Sequence, residues 1–212
     1  SSAASDVYKR QGNTDVGVAA DTGAQNGDDI EIFVAKYSNS GNFQWSEVAR
    51  GQGIQEVNSM VVDSSNNIWI STTFEVSMNF GSAVANAGIN EIPVAIAKIS
   101  SAGTWQSAYA TAGSGQASVT DFVLDNQNNI LMSGFFSGSV TFGSQLTSAG
   151  QNDALVASMT PSGTWNWAKS VGGSSYDTGS GVAFDPSTGY TMLGLSSQSS
   201  FSFGGNSFTP RG

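Results

Sequence analysis

A block of about 60 residues occurs three times in this chain, and this period constrains the fold more than any other feature. The segment at 33–37 (FVAKY) returns at 95–99 (AIAKI) and again at 155–159 (LVASM). A sustained period of this length is typical of repeat architectures, in which each copy is one structural unit that buries its apolar face against its neighbours.

Each copy consists of short apolar runs separated by turn residues. In the second copy, an apolar run ends at Asp125, and the run 130–132 follows after four polar residues. The other copies have an aspartate at the same place, Asp63 and Asp185. An aspartate that opens a short polar stretch between two β-rich runs indicates a hairpin, because its side chain can accept backbone N–H bonds across the turn.

A second turn in each copy contains a glycine and joins the next two strands, at Gly41, Gly103 and Gly163. Each copy therefore supplies four strands in two hairpins, and no segment has helical spacing. Units of four antiparallel strands stack radially as the blades of β-propellers.

The sequence thus predicts an all-β fold, a partial β-propeller whose four-stranded antiparallel blades form an open arc. We expect about two full blades and two half blades within the repeat region 30–212: a half blade at 30–50, blades at 57–110 and 119–170, and a half blade at 179–203. An open arc exposes sheet edges, which favour pairing with further strands. Missing blades of the same chain are therefore expected partners.

The first 29 residues do not follow the repeat. Residues 1–11 resemble the in-frame translation of a transposase-type sequencing adapter, and we expect them to be a non-native tail. Residues 12–29 are expected to be the remnant of a loop from the preceding blade.

Composition excludes several classes of function. The chain has 16 acidic and 7 basic residues, a formal net charge of −9, which argues against nucleic acid as a partner because phosphate recognition relies on clustered Lys and Arg. It contains no cysteine and no histidine. Thiolate nucleophiles, His-dependent triads and His metal sites are therefore excluded. No apolar run approaches the ~18 residues of a membrane span.

Only carboxylates remain for acid–base chemistry, and a pair of them can hydrolyse a glycosidic bond. Three lie where the first strands begin and three in or beside the long loops: Glu56, Asp121, Asp177, Glu75, Glu91 and Asp153. They do not occupy equivalent repeat positions. This favours solvated surface carboxylates over a catalytic constellation, so the sequence assigns no catalytic or cofactor-binding residue.

The three turn aspartates offer a weak metal hypothesis. Asp125 and the following Asn and Gln residues place oxygen atoms at alternate positions, as a calcium loop does. The loop glycine and the bidentate glutamate of such a loop are missing. A side-chain-stabilised hairpin turn explains all three copies equally well, so Asp63, Asp125 and Asp185 remain weak calcium candidates only.

Aromatic residues near the start of the last strand of each copy form a third candidate set: Phe43, Trp45, Trp105, Trp165 and Trp167. Exposed aromatic rings could stack on sugars or anchor a protein partner. Their recurrence in register instead favours packing within or between blades.

The third copy, with VGGSSYD at 171–177 and GVAFD at 181–185, resembles the SBBP family of β-propeller repeats. The resemblance extends over residues 28–212, although the first copy has Arg50–Gly53 in place of the glycine pair. It implies a location outside the cell or at the cell surface. The function it implies is that of a non-enzymatic scaffold or binding module for a protein or a glycan. The alternative is part of a carboxylate-dependent glycan-processing enzyme.

Overall fold

The computed structural model describes residues 5–10, 31–88 and 91–210. Within these ranges the regular elements are all β-strands, which confirms the predicted all-β class, and none is a helix that could cross a membrane. The segment 12–29, expected to be a loop remnant, lies outside the described residues.

The strands in chain order are β1 (Ser5–Arg10), β2 (Glu31–Tyr37), β3 (Phe43–Gln52), β4 (Gln55–Val62), β5 (Ile68–Phe74), β6 (Ser77–Phe80), β7 (Ala83–Asn86), β8 (Val94–Ile99), β9 (Trp105–Ala110), β10 (Gln116–Leu124), β11 (Ile130–Ser137), β12 (Ser139–Phe142), β13 (Ser144–Thr147), β14 (Asp153–Met159), β15 (Trp165–Val171), β16 (Asp177–Phe184), β17 (Thr191–Ser197), β18 (Phe201–Phe203) and β19 (Asn206–Phe208).

Two four-stranded antiparallel sheets form the centre of the molecule. Sheet I has the order β4-β5-β8-β9 and sheet II the order β10-β11-β14-β15. The predicted four-stranded antiparallel sheets are therefore confirmed. The strand that ends at the turn aspartate lies at one edge of each sheet, and the strand that begins with a tryptophan lies at the other.

On either side of these two sheets, a pair of strands corresponds to half of the same four-stranded unit. The hairpin β16–β17 is a two-stranded sheet. The hairpin β2–β3 pairs as β8 and β9 do, and it belongs to a five-stranded sheet of order β1-β2-β3-β6-β7. The partner of β2 on its other side is β1, which lies within the segment expected to be non-native.

Each copy also contains a small hairpin that the sequence analysis did not predict. The pairs β6–β7 and β12–β13 lie between the second and third large strands of their copies, and β18–β19 follows the second large strand of its copy. Their turns begin at Phe-Gly, and Gly81 and Gly143 have φ angles of 62° and 74°, a region that favours glycine. A copy therefore has six strands, where the sequence predicted four.

Consecutive sheets pack face to face, which explains why the strands are apolar on both sides. One core cluster joins Trp69 and Ile96 of sheet I to Phe122 and Leu155 of sheet II. A second cluster joins the opposite face of sheet I to β2 through Ile32 and other residues. Sheet I is thus covered on both faces, by sheet II and by β2, which explains why its strands have apolar residues on both faces.

The first strands of successive copies lie side by side. Strand β10 packs beside both β4 and β16. Thr120 stands at a bulge in β10, and its hydroxyl donates a hydrogen bond of 2.6 Å to the carbonyl of Gly179 in β16. The Asp turns also meet, since Asn128 bonds Ser64 and Asn126 bonds Pro186. The first strands therefore run in the same direction, with their Asp turns at one end.

Candidate functional site

The three turn aspartates use their carboxylates to hold their own turns. The carboxylate of Asp125 accepts the backbone N–H groups of Gln127 and Asn129, each at 2.8 Å, and the side-chain amide of Asn129 at 2.8 Å. Asp63 accepts the equivalent bonds from Ser65 and Asn67. The carboxylates of these two turns thus accept hydrogen bonds from donors of the turn itself, as a side-chain-stabilised hairpin turn requires.

Asp185 holds the third hairpin turn in the same way, but this turn is one residue longer than the other two. The hairpin closes from Asp185 N to Tyr190 O, one residue later than the equivalent bond from Asp125 N to Asn129 O. Hydrogen bonds from Ser187 and Thr188 lower the pKa of Asp185 to about 2.

Asp63 differs from the other two because it is nearly buried and has a cationic neighbour. Burial raises its pKa, but hydrogen bonds from Asn67, Trp69 and Ser65 outweigh this, so the pKa of Asp63 lies below its usual range. The ammonium of Lys98 lies 3.6 Å from Asp63 Oδ2. In the described part of the chain, no group of three or more acidic side chains is placed to hold a metal ion.

The tryptophans at the start of the last strands pack against their own copies. The rings of Trp105 and Phe80 meet edge to face at 5.1 Å, and those of Trp165 and Phe142 at 5.0 Å. Trp105 is only 9% exposed, and its indole N–H donates to the carbonyl of Val48 in β3. The Phe-Gly turns therefore cover these tryptophans.

Phe43, Trp45 and Trp167 have different surroundings. Phe43 is 53% exposed and Trp167 38% exposed. Trp45 is partly buried, and its indole donates to the carbonyl of Ser101 in the next copy. The set of five aromatic residues therefore does not form one exposed surface.

Four of the six candidate carboxylates are exposed or only partly buried. Glu56 and Glu75 are exposed, and Asp121 and Glu91 are partly buried. Glu75 accepts a backbone hydrogen bond from Ile54, Glu91 from Gly88, and Asp121 from Val182.

The structure does bring Asp153 and Asp177 together, from the starts of β14 and β16. They are 3% and 0% exposed. Backbone pairing positions them, because Asp177 N donates to Asn152 O at 2.9 Å. We call this junction between sheet II and β16 the acidic junction, and it comprises Asn152, Asp153, Gly172, Gly173 and Asp177.

Glycines enclose the two carboxylates. Gly173 N donates to Asp177 Oδ2 at 2.7 Å, and Ala149 N donates to Asp153 Oδ1 at 3.1 Å. A Cβ atom at Gly172 would lie 2.6 Å from Asp153 Cγ, so a larger residue there would displace the carboxylate. Asp177 Oδ1 is buried and has no hydrogen-bond partner among the residues that the structure describes.

The electrostatics of the junction follow from this burial. Burial raises the pKa of Asp153, and the negative charge of Asp177 raises it further, against the opposing hydrogen bonds from Ala149 and Gly150. Asp153 therefore takes up a proton more readily than an ordinary aspartate. The junction can hold a proton, and both of its carboxylates are shielded from solvent.

The junction between sheet I and sheet II has the same backbone pairing but lacks the two aspartates. There Ala117 N donates to Ile92 O at 3.0 Å, and Pro93 and Ala117 occupy the positions that Asp153 and Asp177 have in the acidic junction. The acidic pair is thus present at the junction between sheet II and β16 and absent from the junction between sheets I and II. Sequence reasoning named both aspartates but did not pair them, because they belong to different sheets.

No protein-family model matches this chain, and no curated protein matches it. Among solved structures, a protein of unknown function from Bacteroides caccae is similar, with 11% sequence identity and a TM-score of 0.34. The alignment covers 66% of this chain and 56% of that chain, so the chain spans little more than half of the length of that protein.

Proposed function

We propose that this chain is a non-enzymatic β-propeller segment of the SBBP type, which acts outside the cell or at the cell surface as a scaffold or binding module for a protein or a glycan. The observation that carries the proposal is the side-by-side packing of the first strands β4, β10 and β16. In a propeller the first strands of successive blades lie closest to the axis, and the sheets radiate from them.

The same packing defines a surface on which a ligand could bind. The Asp turns gather at one end of the first strands, so the starts of these strands form the opposite end, which we call the rim: residues 53–55, 75–76, 114–116 and 174–176. Ile54, Val76 and Tyr176 are 50%, 49% and 49% exposed there. Exposed apolar and aromatic groups beside polar residues suit contact with a sugar ring or a protein side chain.

A catalytic function is the second candidate, because Asp153 and Asp177 lie together. A retaining or inverting glycosidase needs both carboxylates exposed on either side of the bond to be cleaved. The burial of both side chains, at 3% and 0% exposure, favours a structural role for this pair.

The binding proposal is tested on a glycan array with the wild type, Tyr176→Ala and a matched control, Tyr190→Ala. Tyr190 is 72% exposed and lies in the Asp turn at the end opposite to the rim. We expect binding that Tyr176→Ala removes and Tyr190→Ala retains. Release of reducing sugar from any bound glycan, abolished by Asp177→Asn, would contradict the non-enzymatic function.

A further inference from the structure

The acidic junction holds two buried carboxylates and no counter-charge. Within the described ranges, no basic side chain forms an ion pair with Asp153 or Asp177. The Oδ2 atom of Asp177 accepts the N–H of Gly173, but its Oδ1 atom is buried in the junction and has no partner among the described residues. Buried charges in proteins are normally paired or bound to a metal ion. The junction therefore needs a partner for its charge and for one oxygen atom.

The corresponding junction between β2 and sheet I has such a counter-charge. Glu31, Gln55 and Arg50 have the register positions of Asp153, Asp177 and Gly172. The Nε atom of Arg50 lies 3.5 Å from Glu31 Oε1. Gln55 Oε1 is also buried and has no hydrogen-bond partner among the described residues, but a neutral amide needs no counter-charge. At this junction an arginine thus balances the acid that begins the third strand.

The junction between sheets I and II is neutral at all three positions, which are occupied by Pro93, Ala112 and Ala117. The acidic junction differs from both, because it has two acids and a glycine. A Cβ atom at Gly172 would lie 2.6 Å from Asp153 Cγ, so no side chain fits at the position of Arg50. A counter-charge for the acidic junction must therefore be a small ion.

Backbone carbonyl groups lie next to the two carboxylates. A Cβ atom at Gly150 would lie 2.5 Å from the carbonyl oxygen of Gly173 and 2.7 Å from that of Ser174. Gly150 also forms a backbone hydrogen bond with the Asp153 carboxylate. Calcium binds carboxylate and carbonyl oxygens together in flexible geometries. Two carboxylates completed by carbonyl groups can therefore form a calcium site without a third acidic side chain.

We propose that the acidic junction binds one calcium ion between Asp153 and Asp177, with neighbouring backbone carbonyl groups as further ligands. The two carboxylates balance the charge of the ion, and Asp177 Oδ1 gains a partner. The ion has the role that Arg50 has at the junction of β2 and sheet I, and it links sheet II to β16. This site is separate from the ligand-binding rim and does not depend on what the rim binds.

The burial of the two aspartates favours calcium over magnesium. Magnesium requires near-ideal octahedral geometry and usually keeps several of its water molecules, whereas calcium accepts irregular sets of protein oxygens. Asp153 and Asp177 are 3% and 0% exposed, so the junction offers protein oxygens in an environment shielded from water. Selectivity for calcium is therefore part of the proposal.

The first measurement is a calorimetric titration of the full chain, stripped of metal ions with EDTA and desalted, with calcium near neutral pH. We expect one calcium ion per chain, with a dissociation constant of about 10⁻⁴–10⁻³ M, the range of extracellular calcium modules. Magnesium should bind at least about tenfold more weakly, because it resists dehydration.

Asp153→Asn and Asp177→Asn each remove a ligand charge and keep the size of the side chain. Loss of a group that only orients a metal ligand costs about 10–100-fold in affinity, so each variant should bind calcium at least about tenfold more weakly than the wild type. Two control variants should retain wild-type affinity: Glu75→Gln at the exposed rim and Asp125→Asn in an Asp turn.

The melting temperature provides a second readout, which a purely structural role of the pair would not reproduce. In EDTA, Asp153→Asn removes the repulsion between two buried carboxylates, so this variant should melt at a higher temperature than the wild type. In calcium, the melting temperature of the wild type should rise, because the ion binds the folded state. The rise should be lost in Asp153→Asn and in Asp177→Asn.

Three results would overturn the calcium site. Calcium binding that survives both aspartate substitutions would exclude the junction. Binding that is lost in Asp125→Asn but retained in Asp153→Asn and Asp177→Asn would assign the ion to the Asp turn instead. A wild type that neither binds calcium nor gains stability from it would leave a proton as the counter-charge of the pair.

Discussion

The ammonium of Lys98 lies 3.6 Å from Asp63 Oδ2 and 5.0 Å from the centre of the Trp69 ring. Trp69 in turn donates its indole N–H to Asp63. One lysine of the third strand thus contacts both the turn aspartate and the second strand of its sheet, so these three residues act as one unit.

Lys98→Ala is expected to lower the free energy of unfolding by about 1–2 kcal/mol, because it removes an ion pair and a cation–π contact that are partly shielded from water. Urea denaturation measures the change. The matched variant Lys169→Ala, at an exposed position of β15, should change the free energy by less than about 0.5 kcal/mol. Equal effects of the two variants would contradict a specific role of Lys98.

In the absence of calcium, Asp153→Asn is expected to stabilise the fold near neutral pH, by about 1 kcal/mol, because it removes a buried charge beside Asp177. The raised pKa of Asp153 means that the folded state binds this proton more tightly than the unfolded state. Stability of the wild type therefore falls as the pH rises from the usual aspartate range through the raised value.

The gain from Asp153→Asn should consequently be largest above that interval and should disappear at about pH 3, where the aspartate is protonated in both states. Urea denaturation over this pH range measures it, with Glu56→Gln as the exposed control. A gain that does not change with pH would show that the charge of Asp153 is not its cause.

Trp105→Ala is expected to destabilise the protein by about 3–4 kcal/mol, because it removes a buried ring that packs on Phe80. Phe43 has the same register position in the first copy but is 53% exposed. Phe43→Ala should therefore change the stability by less than about 1 kcal/mol. Thermal denaturation of the two variants compares them directly, and similar melting temperatures would refute the packing role of Trp105.

Asp125→Ala is expected to destabilise the protein by about 2 kcal/mol, since it leaves the backbone N–H groups of Gln127 and Asn129 without their charged acceptor. Gln127→Ala keeps both N–H groups and should have little effect. We further expect calcium to change the melting temperature of Asp125→Ala as much as that of the wild type. A rise in calcium that Asp125→Ala abolishes would instead support the metal hypothesis.

The structural elements that could be predicted from the sequence are those stabilised by interactions between residues close together in the chain. The Asp turns follow from side-chain hydrogen bonds within four residues, and the glycine turns from backbone angles such as the φ of 86° at Gly103. The small hairpins were missed because strands of four residues, such as Ser77–Phe80, are too short for an alternating pattern to be recognised.

The acidic junction could not be predicted for a different reason. Asp153 and Asp177 meet only because Asp177 pairs with Asn152 between two sheets, and that contact depends on how the copies pack. A comparison of equivalent repeat positions did not indicate the pair either, because the junction between sheets I and II has Pro93 and Ala117 at these positions.

The additional residue in the third Asp turn has a consequence for how the repeat tolerates change. The turn accommodates the additional residue before Thr191. The strands β16 and β17 therefore keep the same pairing as their equivalents in sheets I and II. One additional residue at this end of a copy thus leaves the pairing of the sheet unaltered. The Asp turns are therefore the positions at which foreign peptides could be grafted into this protein without disturbing its core.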